Sequence, residues 1–304
     1  MKKIYRMKNF FKDDIWTLES EELSKAKARF IKYMKVMMIT IKTFANERIG
    51  FQAVALSFFS TMSVVPFIAI AFAITGGLGL SDKLKELLYA YFENSQSTIE
   101  IILGFAQNII DTAQSSALGL VSALLFAFIV IWMMLNVERV FNNVWRVRKA
   151  RNLIKRLSFV MAMILISPFV VMVFFAGPIV YSNALHFIGI DPESLGVFRS
   201  ILAWMLFGVT STLTFSAMYK FIPNAKVRYG SAIRAAIPAA IAFTVIQYLY
   251  LETQVFVTRL GAIFGAFAAV PLFMVWINIG WFIILIGAEL SYAFQNVNNY
   301  NIED

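Results

Sequence analysis

Apolar positions in this chain gather into six long stretches, about 53–75, 118–135, 157–181, 201–219, 235–251 and 268–290. Each reaches or approaches the roughly 20 residues that a helix needs to cross about 30 Å of hydrocarbon. Inside lipid, a backbone must satisfy its own hydrogen bonds, so each stretch predicts a transmembrane helix. Two further segments are amphipathic. Over residues 21–47, Leu23, Phe30, Met34, Met37, Ile41 and Phe44 recur at helical spacing, with Lys25, Lys32, Lys35 and Lys42 largely off that stripe. Such a basic helix lies on a membrane surface or packs beneath a bundle. Over 81–116, Leu84, Leu87, Leu88, Tyr91 and Phe92, then Ile99, Ile102, Leu103, Phe105, Ile109 and Ile110, predict two amphipathic helices broken near 94–97. Their polar faces carry Glu86, Glu93, Glu100 and Asp111, and they roof a cavity or rest on the outer leaflet. In the stretch 188–195, Asp191 before Pro192 predicts a helix cap.

The expectation is an all-α, polytopic membrane protein. It has six transmembrane helices, an N-terminal amphipathic cytoplasmic helix, and outer amphipathic helices between spans one and two. Residues 1–50 form a basic cytoplasmic segment, 51–294 the membrane domain and 295–304 a short tail.

Charge fixes the orientation this architecture should adopt. Of 27 Lys and Arg, 12 precede the first span, from Lys2 to Arg48. The connections then alternate. The second has Lys83 and Lys85. The third has Arg139, Arg146, Arg148, Lys149, Arg151, Lys155 and Arg156. The fourth has Arg199, the fifth Lys220, Lys226, Arg228 and Arg234, and the sixth Arg259. Basic residues stay on the cytoplasmic side, so both termini are expected there. The net charge of +9 then sits beside anionic lipid headgroups, and no nucleic-acid partner is needed to explain it.

Composition agrees: 60% of residues are hydrophobic and the mean hydropathy is +0.71. The absence of cysteine excludes disulfides and thiolate metal sites. The single histidine, His186, falls in an expected outer loop and cannot build a metal cluster, so no cofactor or metal is expected. The basic start MKKIYRMKNF leads into acids rather than an apolar run and does not read as a cleavable signal. No phosphate loop, HExxH or GxSxG is present, and no enzymatic role is expected.

Polar residues in hydrocarbon are costly and mark the bundle interior or a wet cavity. Span one holds Ser57, Ser60, Thr61, Ser63 and Pro66. Pro66 withholds a donor from the carbonyl four residues earlier, giving a kinked, packed helix or a local opening toward a substrate. Asn136 ends span two, Gln247 lies in span five, and Asn278 and Glu289 lie in span six. Ser60, Pro66, Asn136, Gln247, Asn278 and Glu289 are therefore the candidate cavity residues. Glu289 either carries a proton or cation for coupled transport or pairs with Arg139, Arg156 or Lys220 on the cytoplasmic side. Glu138 and Arg139 are adjacent on a helix and need separate partners. The small-xxx-small spacing of Gly261 and Gly265 suits an internal helix contact or a homo-oligomer.

Four segments together resemble the YihY/virulence factor BrkB family. They are GFQAVALSFFSTMSVVPFIAIA in span one, Phe141-Asn-Asn-Val-Trp-Arg-Val-Arg148 after span two, and Lys220-Phe-Ile-Pro-Asn224 with Val227-Arg228. The fourth is the closing block GAIFGAFAAVPLFMVWINIGWFIILIGAEL, preceded by Tyr248-Leu-Tyr-Leu251. The correspondence runs in order through about 45–294. Phe264 stands in a tyrosine neighbourhood, and Asn278 where an aromatic or aliphatic residue is more usual. The resemblance implies six spans in a protein described among relatives as a transporter or envelope component. Relatives have also been described as ribonuclease BN, but nothing in this sequence supports RNA cleavage. The expected function is a transporter in the bacterial plasma membrane that exports a small or amphipathic solute or moves a lipid through a polar cavity. The alternative is a non-transporting envelope scaffold. Expected partners are membrane lipids and an unidentified solute or lipid.

Overall fold

A computed structural model describes residues 24–46, 48–91, 96–115, 117–187, 197–264 and 269–298. Among these residues the chain forms α1 Lys25–Asn46, α2 Ile49–Gly77, α3 Ser81–Tyr91, α4 Gln96–Ser115, α5 Ala117–Val144, α6 Leu153–Phe187, α7 Val197–Phe221, α8 Tyr229–Phe264 and α9 Ala269–Asn296. Six of them, α2 and α5 to α9, are long and apolar enough to cross a membrane. The architecture is all-helical, as the apolar stretches require. The helices overrun the predicted spans because intrahelical hydrogen bonding continues past the point where apolar sequence ends.

The N-terminal 23 residues, residues 92–95 with Phe92, Glu93 and part of the expected break, the 188–195 stretch, Gly265 and the end of the tail lie outside the described residues.

α8 lies between α7 and α9; α9 continues onto α2, and α2 onto α5. α8 can fit between them because Ala232, Ala235, Ala236, Ala239 and Ala240 form one stripe of small residues. That stripe meets Tyr219 and Phe215 of α7 and Leu285 and Ala288 of α9 in the main core. The same core reaches Ile49, Ala53 and Leu56 of α2 and Val137, Phe141 and Val144 of α5. It lies toward the face that carries most of the cations. On the opposite face, α3 docks by Leu84 against Ala71 and Phe72 of α2, and Leu103 and Ile110 of α4 pack at the same cluster. The outer helices therefore lean on the spans.

α1 packs on α9, but not by the expected stripe. Val36, Ile39, Thr40 and Thr43 are buried, and Val36 and Ile39 meet Ala293 and Val297. Phe30, Met37 and Ile41 face outward, at 66%, 55% and 64% exposure. Smaller side chains allow the closer approach to Ala293, and the larger apolar ones are left for the surrounding medium. Of the expected stripe, Phe44 turns inward, meeting the Phe282 ring edge-on at 5.0 Å, and Met34 is half-buried.

Two helix ends use left-handed residues. α2 stops at Gly79 (φ 70), with Leu80 N donating to Thr75 O at 2.7 Å. α5 ends the same way with Arg146 (φ 49), and Val147 N donates to Asn142 O at 2.9 Å. This cap turns the chain back beneath the bundle.

Candidate functional site

Three groupings organise the candidate residues. The first is a clamp on the basic face. Glu138, fully buried in α5, accepts from Arg151 Nη1 at 2.9 Å and from Arg156 Nε at 2.8 Å. Two guanidinium groups on one carboxylate offset the cost of removing that charge from water. Arg151 also donates to the carbonyls of Ile222 (2.8 Å), Phe221 (3.1 Å) and Pro223 (3.3 Å), satisfying the open C-terminus of α7. Asn224 N donates to Asn142 Oδ1 at 2.7 Å, and Asn224 Nδ2 donates to Lys149 O at 3.0 Å. From the other side, Gln295 of α9 accepts from Arg228 N at 2.7 Å and donates to Lys226 O at 3.0 Å. The segments around Asn142 and Asn224, far apart in sequence, thus form one bolted unit.

The second grouping is a set of polar rungs between spans. Trp281 Nε1 of α9 donates to Ser60 Oγ of α2 at 2.8 Å. Asn278 Nδ2 donates to Ser57 Oγ at a longer 3.4 Å, and Trp276 Nε1 donates to Gln247 Oε1 of α8 at 3.1 Å. Ser57 Oγ in turn donates to Val54 O at 2.8 Å. Pro66 is buried inside α2, which continues through it to Gly77. Asn136 Nδ2 donates to Trp132 O at 2.9 Å, and its Oδ1 accepts from Arg139 Nη1 at 3.1 Å.

The cations expected near Glu289 lead elsewhere: Arg156 to Glu138, Arg139 to Asn136, and Lys220 to the Val227 carbonyl, with its ammonium 4.6 Å from the centre of the Tyr229 ring. Glu289 itself is fully buried in α9, two residues beyond Gly287. There the helices are at their tightest: a Cβ on Gly287 would lie 2.7 Å from Tyr219 Cζ and 2.8 Å from Ala239 Cβ.

The third grouping was not expected from the sequence. A groove of about 770 Å³ runs between α7 and α8 on the side facing lipid. Met205, Val209 and Leu213 form one wall and Ile237, Ile241 and Val245 the other. Its floor is made by Gly208, Thr212 and Thr244. Both threonine hydroxyls donate to carbonyls of their own helices at 2.8 Å, to Gly208 O and Ala240 O, so the floor offers few polar atoms. At one end Trp204 meets Tyr248 edge-on at 5.5 Å. The missing Cβ at Gly208, between Phe207 and Val209, is the one local trace of this recess in the sequence.

This six-span helical bundle defines a polytopic membrane protein. The sequence pattern of the Virulence factor BrkB family covers residues 40–304, and the chain belongs to that family. It is 29% identical over 258 residues to a UPF0761 membrane protein of Janthinobacterium sp. (strain Marseille), covering 83% of this chain and 58% of that protein. It is 26% identical over 305 residues to a UPF0761 membrane protein of Chlorobium limicola, covering 96% and 66%. A third relative, UPF0761 membrane protein VV0203 of Vibrio vulnificus, is 25% identical over 281 residues, covering 91% and 85%. The chain thus spans under two thirds of the length of several curated relatives that it matches. No solved structure matches it.

Proposed function

We propose that this protein is a bacterial plasma-membrane transporter that moves an amphipathic solute or a lipid along the lateral groove between α7 and α8. The groove carries the reading: an apolar channel of about 770 Å³, open to lipid, favours a cargo with a hydrocarbon part. A small polar solute would gain little from those walls. Of the polar residues that first suggested an interior cavity, Ser60, Gln247 and Asn278 bond to groups on neighbouring helices and serve this reading as a frame. The clamp bolts the basic face, and the rungs join α2 and α8 to α9. Against that frame, cargo moves along the lipid-facing edge rather than through the centre. The buried carboxyl of Glu289 is the group assigned to coupling. In this reading the basic face is cytoplasmic, with both termini inside, and the protein catalyses no covalent chemistry.

The test is a lipid and metabolite profile of cells and medium, with the gene deleted, restored, or restored as Gly208→Leu. A compound that redistributes with the wild-type chain but not with the groove-filled variant supports transport. If nothing redistributes under osmotic and envelope stress, the reading fails. One observation favours the second reading, a non-transporting envelope scaffold: the outward Phe30, Met37 and Ile41 stripe of α1, which a partner or a headgroup layer would cover.

A further inference from the structure

We infer that the groove between α7 and α8 seats one anionic phospholipid from the leaflet on the basic face. Its phosphate lies on the Arg234 guanidinium and one acyl chain runs along the groove. The inference rests on the reading of this groove as a path for lipid-like cargo, and it names the class of lipid.

The register of α8 supports it. Ile237, Ile241, Val245 and Tyr248 line the groove at spacings of four, four and three, and Arg234 stands one turn before Ile237 on the same stripe. Arg234 is exposed, whereas Ala235 and Ala236 beside it are fully buried. Its charge therefore projects away from the bundle at the basic end of the groove. Among the described residues, no acid pairs with Arg234. The neighbouring Lys220 is engaged by the Val227 carbonyl and the Tyr229 ring.

An arginine facing lipid near a helix start is costly unless it reaches a headgroup, and a phosphate accepts its planar fork in two parallel hydrogen bonds. Pro238, one turn further on and also exposed, has no N–H to return to the Arg234 carbonyl. That leaves an acceptor beside the guanidinium for a headgroup hydroxyl or ammonium.

The length fits as well. From Ile237 to Tyr248 the groove runs about 16 Å at about 1.5 Å per residue, close to one leaflet of a core about 30 Å thick. Trp204 against Tyr248 stands near the far end, where a chain of that leaflet would terminate. A second copy of this chain docked in the groove would instead have to meet the unneutralised Arg234 with an apolar surface.

Native mass spectrometry of the full chain, released from nanodiscs holding equal phosphatidylglycerol and phosphatidylcholine, tests this. Wild type should keep one phosphatidylglycerol in preference by about tenfold: phosphatidylcholine offers the same phosphate, but its choline cation opposes the Arg234 guanidinium. Arg234→Gln should remove that preference and Arg234→Lys should keep most of it. Gly208→Leu should lower retention of both lipids, because its Cβ meets only Thr244 Oγ1, at 3.6 Å, and the rest of the side chain enters the groove. Equal retention of the two lipids by wild type, or an unchanged preference in Arg234→Gln, overturns the seat. So does a lipid-free dimer that Ile241→Trp splits. Selective binding without cargo movement in cells would sink only the transport reading. Cargo movement without selective binding would sink only the seat.

Discussion

The ring of Tyr219 on α7 lies over Gly287 on α9, in the space that a side chain at 287 would need. Burial of a full tyrosine against a glycine lets α7, α8 and α9 approach at one level, next to the fully buried Glu289. Gly287→Ala should therefore destabilise the protein by about 1–3 kcal/mol, the range for overpacking a filled core. Thermal unfolding in detergent would register it. The Tyr219 hydroxyl makes no hydrogen bond among the described residues, so Tyr219→Phe alone should cost little. Combined with Gly287→Ala it should recover part of the loss, since Cζ and Ala239 Cβ still crowd the new methyl.

Glu138 should be the most sensitive charge on the basic face. Glu138→Ala strands two arginines that are 15% and 23% exposed, and a loss of about 3–5 kcal/mol is expected. Arg151→Lys should hurt more than Arg156→Lys, because an ammonium cannot reach Glu138 and three carbonyls of the α7 end together. Melting temperatures of the four proteins, compared at low and high salt, check both statements. Little salt dependence is expected for a pair this buried.

A double-mutant cycle of Ser60→Ala and Trp281→Phe should give a coupling of about 0.6 kcal/mol, typical of hydrogen bonds between membrane helices. The longer Asn278–Ser57 contact should couple less, and Asn278→Leu should fold normally. Unfolding by denaturant in mixed micelles reads both. Zero coupling between Ser60 and Trp281 would mean that the rung does not form.

The sequence made the six spans, the basic alternation and the outer helix pair legible, because membrane length and helical period leave few choices. Which polar groups meet was less legible. Ser60 and Gln247 stood out as polar residues in lipid, but their partners Trp281 and Trp276 did not, since an indole N–H does not show in hydropathy. Arg151 was one of seven cations in a dense connection, and nothing local distinguished it from Arg148. The α1 stripe was misread because Val36 and Thr43 are smaller than Phe30 and Met37, and close approach favoured the face that carries them, with Ile39 on it and Ile41 off it. The groove depends on a glycine at 208 facing Thr244 across two helices, a relation that only the packing reveals.

Glu289→Gln keeps the shape of the side chain and removes its titration. If Glu289 couples transport, this variant should fold with wild-type stability and move cargo at a rate that no longer changes with pH. Flux measured from acidic to neutral pH in vesicles decides it: an unchanged pH profile would remove Glu289 from the mechanism.

The most direct test of the transport claim is lipid translocation in proteoliposomes, with a headgroup-labelled phospholipid followed from one leaflet to the other. Wild type should move the label well above the protein-free rate, and Gly208→Leu should fall back toward that rate while remaining folded. Wild type that matches empty vesicles for lipid and amphipathic probes alike, or Gly208→Leu that moves them as fast, would contradict transport along this groove.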